Sequence, residues 1–173
     1  IKTFNSILSI SKVESGTSDL DKNPVSLKEL ILNMHELYEP IADADGIKFN
    51  YEVNEDIIIN GNYNLLSQAL ANLIENAINY GSSNNNPSIN VGAKKNENLL
   101  SLWVSDNGIG IRDADKNKVL ERFVRLDSSR SLKGSGLGLN LVSSAVKFHE
   151  GTLKLINAKP SGLIMLIEIP LDS

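Results

Sequence analysis

The chain is predicted to fold as an open two-layer α/β sandwich, from one observation that points to it and two that bound it. Segments of helical and of strand periodicity are mixed along the chain rather than regularly alternating. Hydrophobic residues make up 41% and charged residues 22% of 173 positions, an ordinary globular composition that argues against general disorder. There are no cysteines, so the core is held by burial rather than by staples. The length corresponds to one domain plus a small remainder.

The elements follow in order. Residues 1–14 carry Ile1, Phe4, Ile7, Leu8 and Val13 near helical spacing, as at the end of an amphipathic helix. Ser15-Gly16-Thr17-Ser18 stops it, and residues 16–24 read as a linker. Ser26-Leu27-Lys28-Glu29 has capping-box spacing and opens a helix to about Ala44, with Leu27, Leu30, Ile31, Met34, Leu37 and Tyr38 as its apolar stripe. Ile47–Val53 alternates as a strand, and Ile57–Ile59 is a short second one. Asn62 is placed to cap a helix from about Tyr63 to Tyr80, followed by a loop through Pro87. Ser88–Lys95 and Leu99–Ser105 read as paired strands, Leu137–His149 as a helix, and Thr152–Ala158 with Gly162–Pro170 as a closing hairpin.

The same composition excludes several functions. Without cysteine there is no disulfide framework, thiolate zinc site or cysteine nucleophile. His35 and His149 lie far apart and have no metal-ligand spacing. No apolar run reaches the ~18 residues of a membrane span. The opening IKTFNSILSI lacks the features of a signal peptide, and a start at isoleucine reads as a fragment of something longer. The net charge of −4 gives no global attraction to nucleic acid or anionic lipid. Segment 112–133 departs from that balance, with seven basic and four acidic side chains. Alone it reads as a solvated loop.

Three further features carry chemistry. The helix 63–80 opposes its apolar face with Gln68, Asn72, Glu75, Asn76 and Asn79. Asparagine is a poor helix former, so three on one stripe point away from an ordinary solvated face. An amide oxygen suits a hard cation such as Mg²⁺ that also holds phosphate oxygens. Asp106-Asn107-Gly108-Ile109-Gly110-Ile111 follows a strand directly. A turn needs fewer glycines, glycine admits close approach of a ligand, and a strand-end carboxylate accepts from an exocyclic amine such as that of adenine. Gly134-Ser135-Gly136-Leu137-Gly138-Leu139 opens the last helix, where unpaired N–H groups and the helix dipole favour an anion. Its spacing is neither a dinucleotide fingerprint nor a Walker A loop.

The order of Asn-rich helix, DNGIGI, basic Phe/Arg segment and GSGLGL closely resembles the catalytic ATP-binding domain of sensor histidine kinases. That family lies within the gyrase, heat-shock chaperone, kinase and mismatch-repair superfamily. NLIENAINYG (72–81) resembles its N box, DNGIGI (106–111) its first glycine box, ERFVRLD (121–127) its F box, and GSGLGL (134–139) its second glycine box. The match covers about 25–173, and residues 1–15 resemble the last turns of the family's second dimerisation helix. The resemblance implies three helices packed on a mixed, mainly antiparallel sheet, with ATP between the N-box helix and a lid at about 112–133. It implies Asn76 as Mg²⁺ ligand, with Asn72 facing the phosphates and Tyr80 packed near the adenine. It implies Asp106 on the adenine amino group and Gly108 and Gly110 beneath the base. Gly134, Gly136 and Gly138 would bring N–H groups to the phosphates. Further nucleotide contacts are implied for Asn79, Ile111, Phe123, Lys133, Ser135, Leu137 and Leu139, and Arg125 is the lid residue expected to assist γ-phosphoryl transfer.

Two departures stand out. Asn79 replaces a lysine common in the family. The phosphoacceptor histidine is absent from its expected helix: His35 has the superficial context His-Glu-Leu-Tyr-Glu-Pro but lies inside the ATP domain, so the acceptor is expected upstream of Ile1. The implied function is phosphoryl transfer from ATP to a histidine outside this chain and onward to a response-regulator aspartate. The implied setting is a homodimeric parent with this part cytoplasmic and, as is common in the family, an inner-membrane receptor as the whole, with no nucleic-acid or membrane contact from this part. Two alternatives stay open. One is a hydrolytic ATPase clamp of the gyrase or mismatch-repair type, which carries a general-base Glu where Asn72 stands. The other is a non-catalytic nucleotide-binding module.

Overall fold

In a computed structural model, the described residues are 21–81, 85–121 and 137–171. Among them are strands β1 (Asn23–Ser26), β2 (Lys48–Glu52), β3 (Ile58–Gly61), β4 (Ser88–Asn96), β5 (Leu99–Asp106), β6 (Thr152–Asn157) and β7 (Leu163–Pro170). The helices are α1 (Leu27–Ala44), α2 (Tyr63–Gly81), the one-turn α3 (Asp113–Lys116) and α4 (Gly138–Phe148), with a 3₁₀ turn at Lys118–Leu120. The expected helix at 1–14 and the F-box residues 122–127 lie outside the described residues.

Five strands form one sheet in the order β2-β4-β5-β7-β6. Only β2 and β4 run parallel within it; the other three neighbours are antiparallel. The mixed, mainly antiparallel sheet is therefore as expected. Among the described residues three long helices cover it, and α3 is a fourth, short one inside the basic segment. The start of that segment is not a bare solvated loop: Arg112 and Lys118 both reach the Asp115 carboxylate, and Lys116 pairs with Asp113.

Local chemistry fixes the helix starts. Ser26 Oγ accepts the Glu29 N–H at 3.1 Å and donates to Asp56 Oδ1 at 2.6 Å. Asn62 Oδ1 accepts the Leu65 N–H at 3.0 Å, the cap expected there. One face of the sheet (Ile89, Val91, Leu100, Leu102, Val104, Met165, Ile167) meets Leu30, Ile31, Leu70, Leu73, Ile74, Val142 and Ala145 from the helices, all buried in one core. On the opposite face the Trp103 ring lies over Gly92, where a methyl group would overlap the ring.

Two sequence readings are corrected. Leu37 is 58% exposed, because the α1 stripe advances through Leu30, Met34, Tyr38 and Ala42 in steps of one turn, which leaves Leu37 to one side. Asn23 and Pro24 belong to β1, paired antiparallel with β3, rather than to the linker. That strand buries one side chain, Val25, and so shows no alternation.

His149 ties the far ends of two helices together. Its Nδ1 donates to Ala145 O at 2.7 Å, and its Nε2 accepts the Asn62 N–H at 2.9 Å. This fixes the neutral tautomer. Burial lowers its pKa; the Ala145 carbonyl opposes the shift and Lys22 adds to it. The unfolded chain therefore takes up a proton near pH 6.5 that the folded chain refuses. Stability is full above that pH and falls as pH drops below it, by at most about 1.4 kcal/mol per pH unit. Thermal unfolding between pH 7.5 and 5 should show this decline, and His149→Gln should flatten it. An unchanged slope in the variant would show that other groups cause it.

Candidate functional site

The candidate site is built on the polar face of α2. Asn72, Glu75, Asn76 and Tyr80 are half-buried there, and Asn79 is exposed. Asn72 is held within its own helix, its Nδ2 donating to Gln68 O at 2.7 Å. Its Oδ1 faces the first residue of α4: a methyl group at Gly138 would lie 2.9 Å from it. The glycine at 138 thus has a packing reason, the close approach of the Asn72 amide. Leu137, just ahead, is buried with Leu141 in a small separate cluster, and Leu139 packs on the main core. Glu75 Oε1 accepts the hydroxyl of Tyr38 from α1 at 3.1 Å. Burial first, then the Glu75 charge, push the Tyr38 phenol well above its usual range.

The Asp106–Ile111 loop meets the C-terminal end of the same helix. Asp106 is 8% exposed, and its Oδ1 accepts the Gly108 N–H at 2.8 Å. Burial raises its pKa, against the lowering effect of the Gly108 and Leu163 backbone N–H groups. At Gly108 a methyl group would lie 2.6 Å from Tyr80 O and 2.8 Å from the Gly81 Cα. At Gly81 it would lie 3.0 Å from the Asp106 Cβ. Loop and helix are thus in backbone contact, and Asp106 sits on the floor of their junction. Gly110 uses φ +71°, and Ile109 beside it is 74% exposed. Ile111 is half-buried against the core.

The structure therefore brings Asn72, Asn76, Asn79, Tyr80, Asp106, Gly108, Gly110, Ile111, Leu137, Gly138 and Leu139 to α2 and the elements packed on it. Phe123, Arg125, Lys133, Gly134, Ser135 and Gly136 lie outside the described residues. The donors present fit the implied groups. Asn72, Asn76 and Asn79 offer hard amide oxygens, and the glycine at 108 lets the Asp106 loop close directly on the backbone of Tyr80 and Gly81. Among the described residues no group of three or more His, Asp or Glu side chains is placed to hold a metal ion. No described helix is long and apolar enough to cross a membrane.

Four residues make contacts at the site that the sequence does not reveal. Asn107 Oδ1 accepts the Ser88 N–H at 2.9 Å and its Nδ2 donates to Asn86 O at 2.9 Å, so it is a brace to β4 rather than only a turn residue. Asn157, Ser161 and Gly162 hold the loop from behind. Their one sequence signal is the turn chemistry of Lys159-Pro160-Ser161-Gly162, which does not say what the turn touches.

Comparison with known proteins agrees with this fold. An uncharacterized sensor-like histidine kinase of Rhizobium meliloti is 32% identical over 177 residues, covering all of this chain and 33% of the relative. The autoinducer 2 sensor kinase/phosphatase LuxQ of Vibrio cholerae is 31% identical over 180 residues, covering 99% of this chain and 21% of the relative. The chain thus spans a third or less of the length of these relatives. Among solved structures, the mycobacterial sensor histidine kinase MprB is similar at 30% identity and a TM-score of 0.76, over 86% of this chain and 97% of that one. The catalytic domain of histidine kinase ThkA is similar at 25% identity and a TM-score of 0.77, over 87% and 98%. Residues 61–173 match the family described as histidine kinase-, DNA gyrase B-, and HSP90-like ATPase, and the chain belongs to that family.

Proposed function

We propose that this chain is the ATP-binding, phosphoryl-donating part of a two-component sensor histidine kinase. The observation that carries the choice of kinase over hydrolytic clamp is the state of Glu75. It is the one carboxylate of α2, and it accepts the Tyr38 hydroxyl. One turn before Asn76 stands Asn72, whose amide is no base and whose Nδ2 donates to Gln68 O. Nothing on this helix is then arranged to activate a water, which favours transfer to a side chain over hydrolysis. From Asn72 to Tyr80 the helix advances about 12 Å, room for a phosphate chain at one end and a base at the other.

In this reading Asp106 accepts the adenine amino group, while Gly108 and Gly110 let the chain turn beneath the base. Asn76 holds Mg²⁺, which would supply charge neutralisation on the phosphates. Asn72 and the N-terminus of α4 face the phosphates, joined by Gly134 and Gly136. Arg125 assists transfer, and Phe123 and Lys133 complete the lid. The acceptor is a histidine outside this chain. Both ring nitrogens of His149 are bonded to backbone, and His35 lies against Phe49 and Tyr51 with Nε2 3.2 Å from Phe49 O. The phosphoryl group then passes to a response-regulator aspartate. The parent is proposed to be a homodimer with this part in the cytoplasm.

Incubation with γ-labelled ATP and Mg²⁺ tests this. The chain alone should bind ATP and remain unlabelled, whereas a longer protein that includes the upstream helix should label there. Asn76→Ala in that protein should abolish labelling with little change in helical circular dichroism, since alanine favours helix. Acid-labile label on His35 or His149, or brisk phosphate release by the chain alone, would refute the assignment.

A further inference from the structure

We propose that Asn157, at the end of β6, is a positioning residue for base recognition: it holds Gly110 and Ile111 so that the Asp106 carboxylate keeps its register with the base. This rests on the reading above that the loop binds adenine. The Asn157 amide makes two complementary bonds to one residue. Its Oδ1 accepts the Ile111 N–H at 3.2 Å, and its Nδ2 donates to Ile111 O at 2.9 Å. This is the pattern by which a neighbouring strand would hold Ile111, supplied by a side chain where strand pairing has ended.

The surroundings show that the contact is built in. A methyl group at Gly110 would lie 2.9 Å from Gly162 O and 3.1 Å from Asn157 Oδ1, so the loop has no slack on that side. Ser161 Oγ donates to Asn107 O at 3.2 Å, and the Leu163 N–H bonds the Asp106 carboxylate. The two ends of the Asp106–Ile111 loop are thus fixed by one element, the β6–β7 turn and its flanks. Asp106 is pinned at the near end and Ile111 at the far end. Asn157 is the only one of these side chains that binds both backbone groups of a loop residue. Its loss frees the half of the loop that must sit beneath the base, while the phosphate end of the site, on Asn72 and α4, is untouched.

The expected result follows from that separation. Asn157→Ala should lower ATP affinity about tenfold while GTP, held by its phosphates, changes less than about twofold. The ATP-to-GTP preference therefore collapses, a readout that general loosening would not move. Calorimetry on the 173-residue chain with Mg²⁺ and each nucleotide measures it. Asn157→Asp keeps the acceptor for the Ile111 N–H but sets a carboxylate oxygen against Ile111 O, and it should lose ATP preference too. Equal weakening of both nucleotides, or no change, would overturn the proposal. Hydrogen exchange on the unmodified chain tests it without a variant: the Ile111 amide, outside any strand, should be protected without nucleotide. Free exchange there would overturn the proposal even if the variants failed to fold. Wild-type protein that does not prefer ATP to GTP would instead overturn the adenine reading itself.

Discussion

Asp106→Asn is expected to weaken ATP binding by about ten- to a hundredfold, the cost of a charge-assisted hydrogen bond. GTP binding should fall much less. Asparagine keeps one acceptor and turns the other oxygen into a donor, which faces the incoming amino group with the wrong polarity. The fold should not suffer. Burial raises the Asp106 pKa above 3.8, so the protein loses stability as pH rises through that raised value. Asparagine carries no such loss but has one acceptor fewer for the Gly108 and Leu163 N–H groups, so at pH 7 the variant should melt within a few degrees of the parent. Calorimetry with both nucleotides and a thermal melt measure the two effects together. Equal loss of ATP and GTP would show that the carboxylate does not read the base.

The second large effect is on stability. Gly162 adopts φ +116°, and a methyl group there would overlap Asp106 O and come within 2.9 Å of the Asn107 Cα. Both obstacles are backbone at the end of β5, where neither can move without breaking the sheet. Gly162→Ala should cost about 3–5 kcal/mol, lowering Tm by ~10 °C or more. Gly46 is the control. It also has positive φ, +70°, but nothing lies within 4 Å of the added methyl. Gly46→Ala should cost only the ~1 kcal/mol of left-handed backbone. Similar melting temperatures for the two variants would mean that close approach contributes nothing.

What could be read from sequence was what is local. The face of α2 is a matter of helical period, so Asn72, Asn76 and Asn79 were visible as a stripe before any fold was known. Asp106 and Gly108 were visible because a strand ends in turn residues with more glycine than a turn needs. Gly138 was visible for the same reason at a helix start. What was hidden is made by pairing across the chain. Tyr38 meets Glu75 at a separation of 37 residues, and Asn157 meets Ile111 at 46. His149 meets Asn62 at 87. No periodicity encodes such a contact, because each partner is compatible locally with an ordinary surface or core position. Strand β1 was hidden by its shortness: four residues with one inward side chain carry no alternation.

The placement of Trp103 decides what light can report about this protein. It is the chain's one tryptophan, and its ring lies on the sheet face turned away from the helices. The sheet separates the indole from Asn76 and Asp106. Its emission should shift to the red when the sheet comes apart, because Gly92 then ceases to shield it from water. Filling of the site on the other face should leave the emission spectrum nearly unchanged. Intrinsic fluorescence is therefore a clean gauge of denaturation here and a poor gauge of nucleotide, for which a labelled analogue is the better probe.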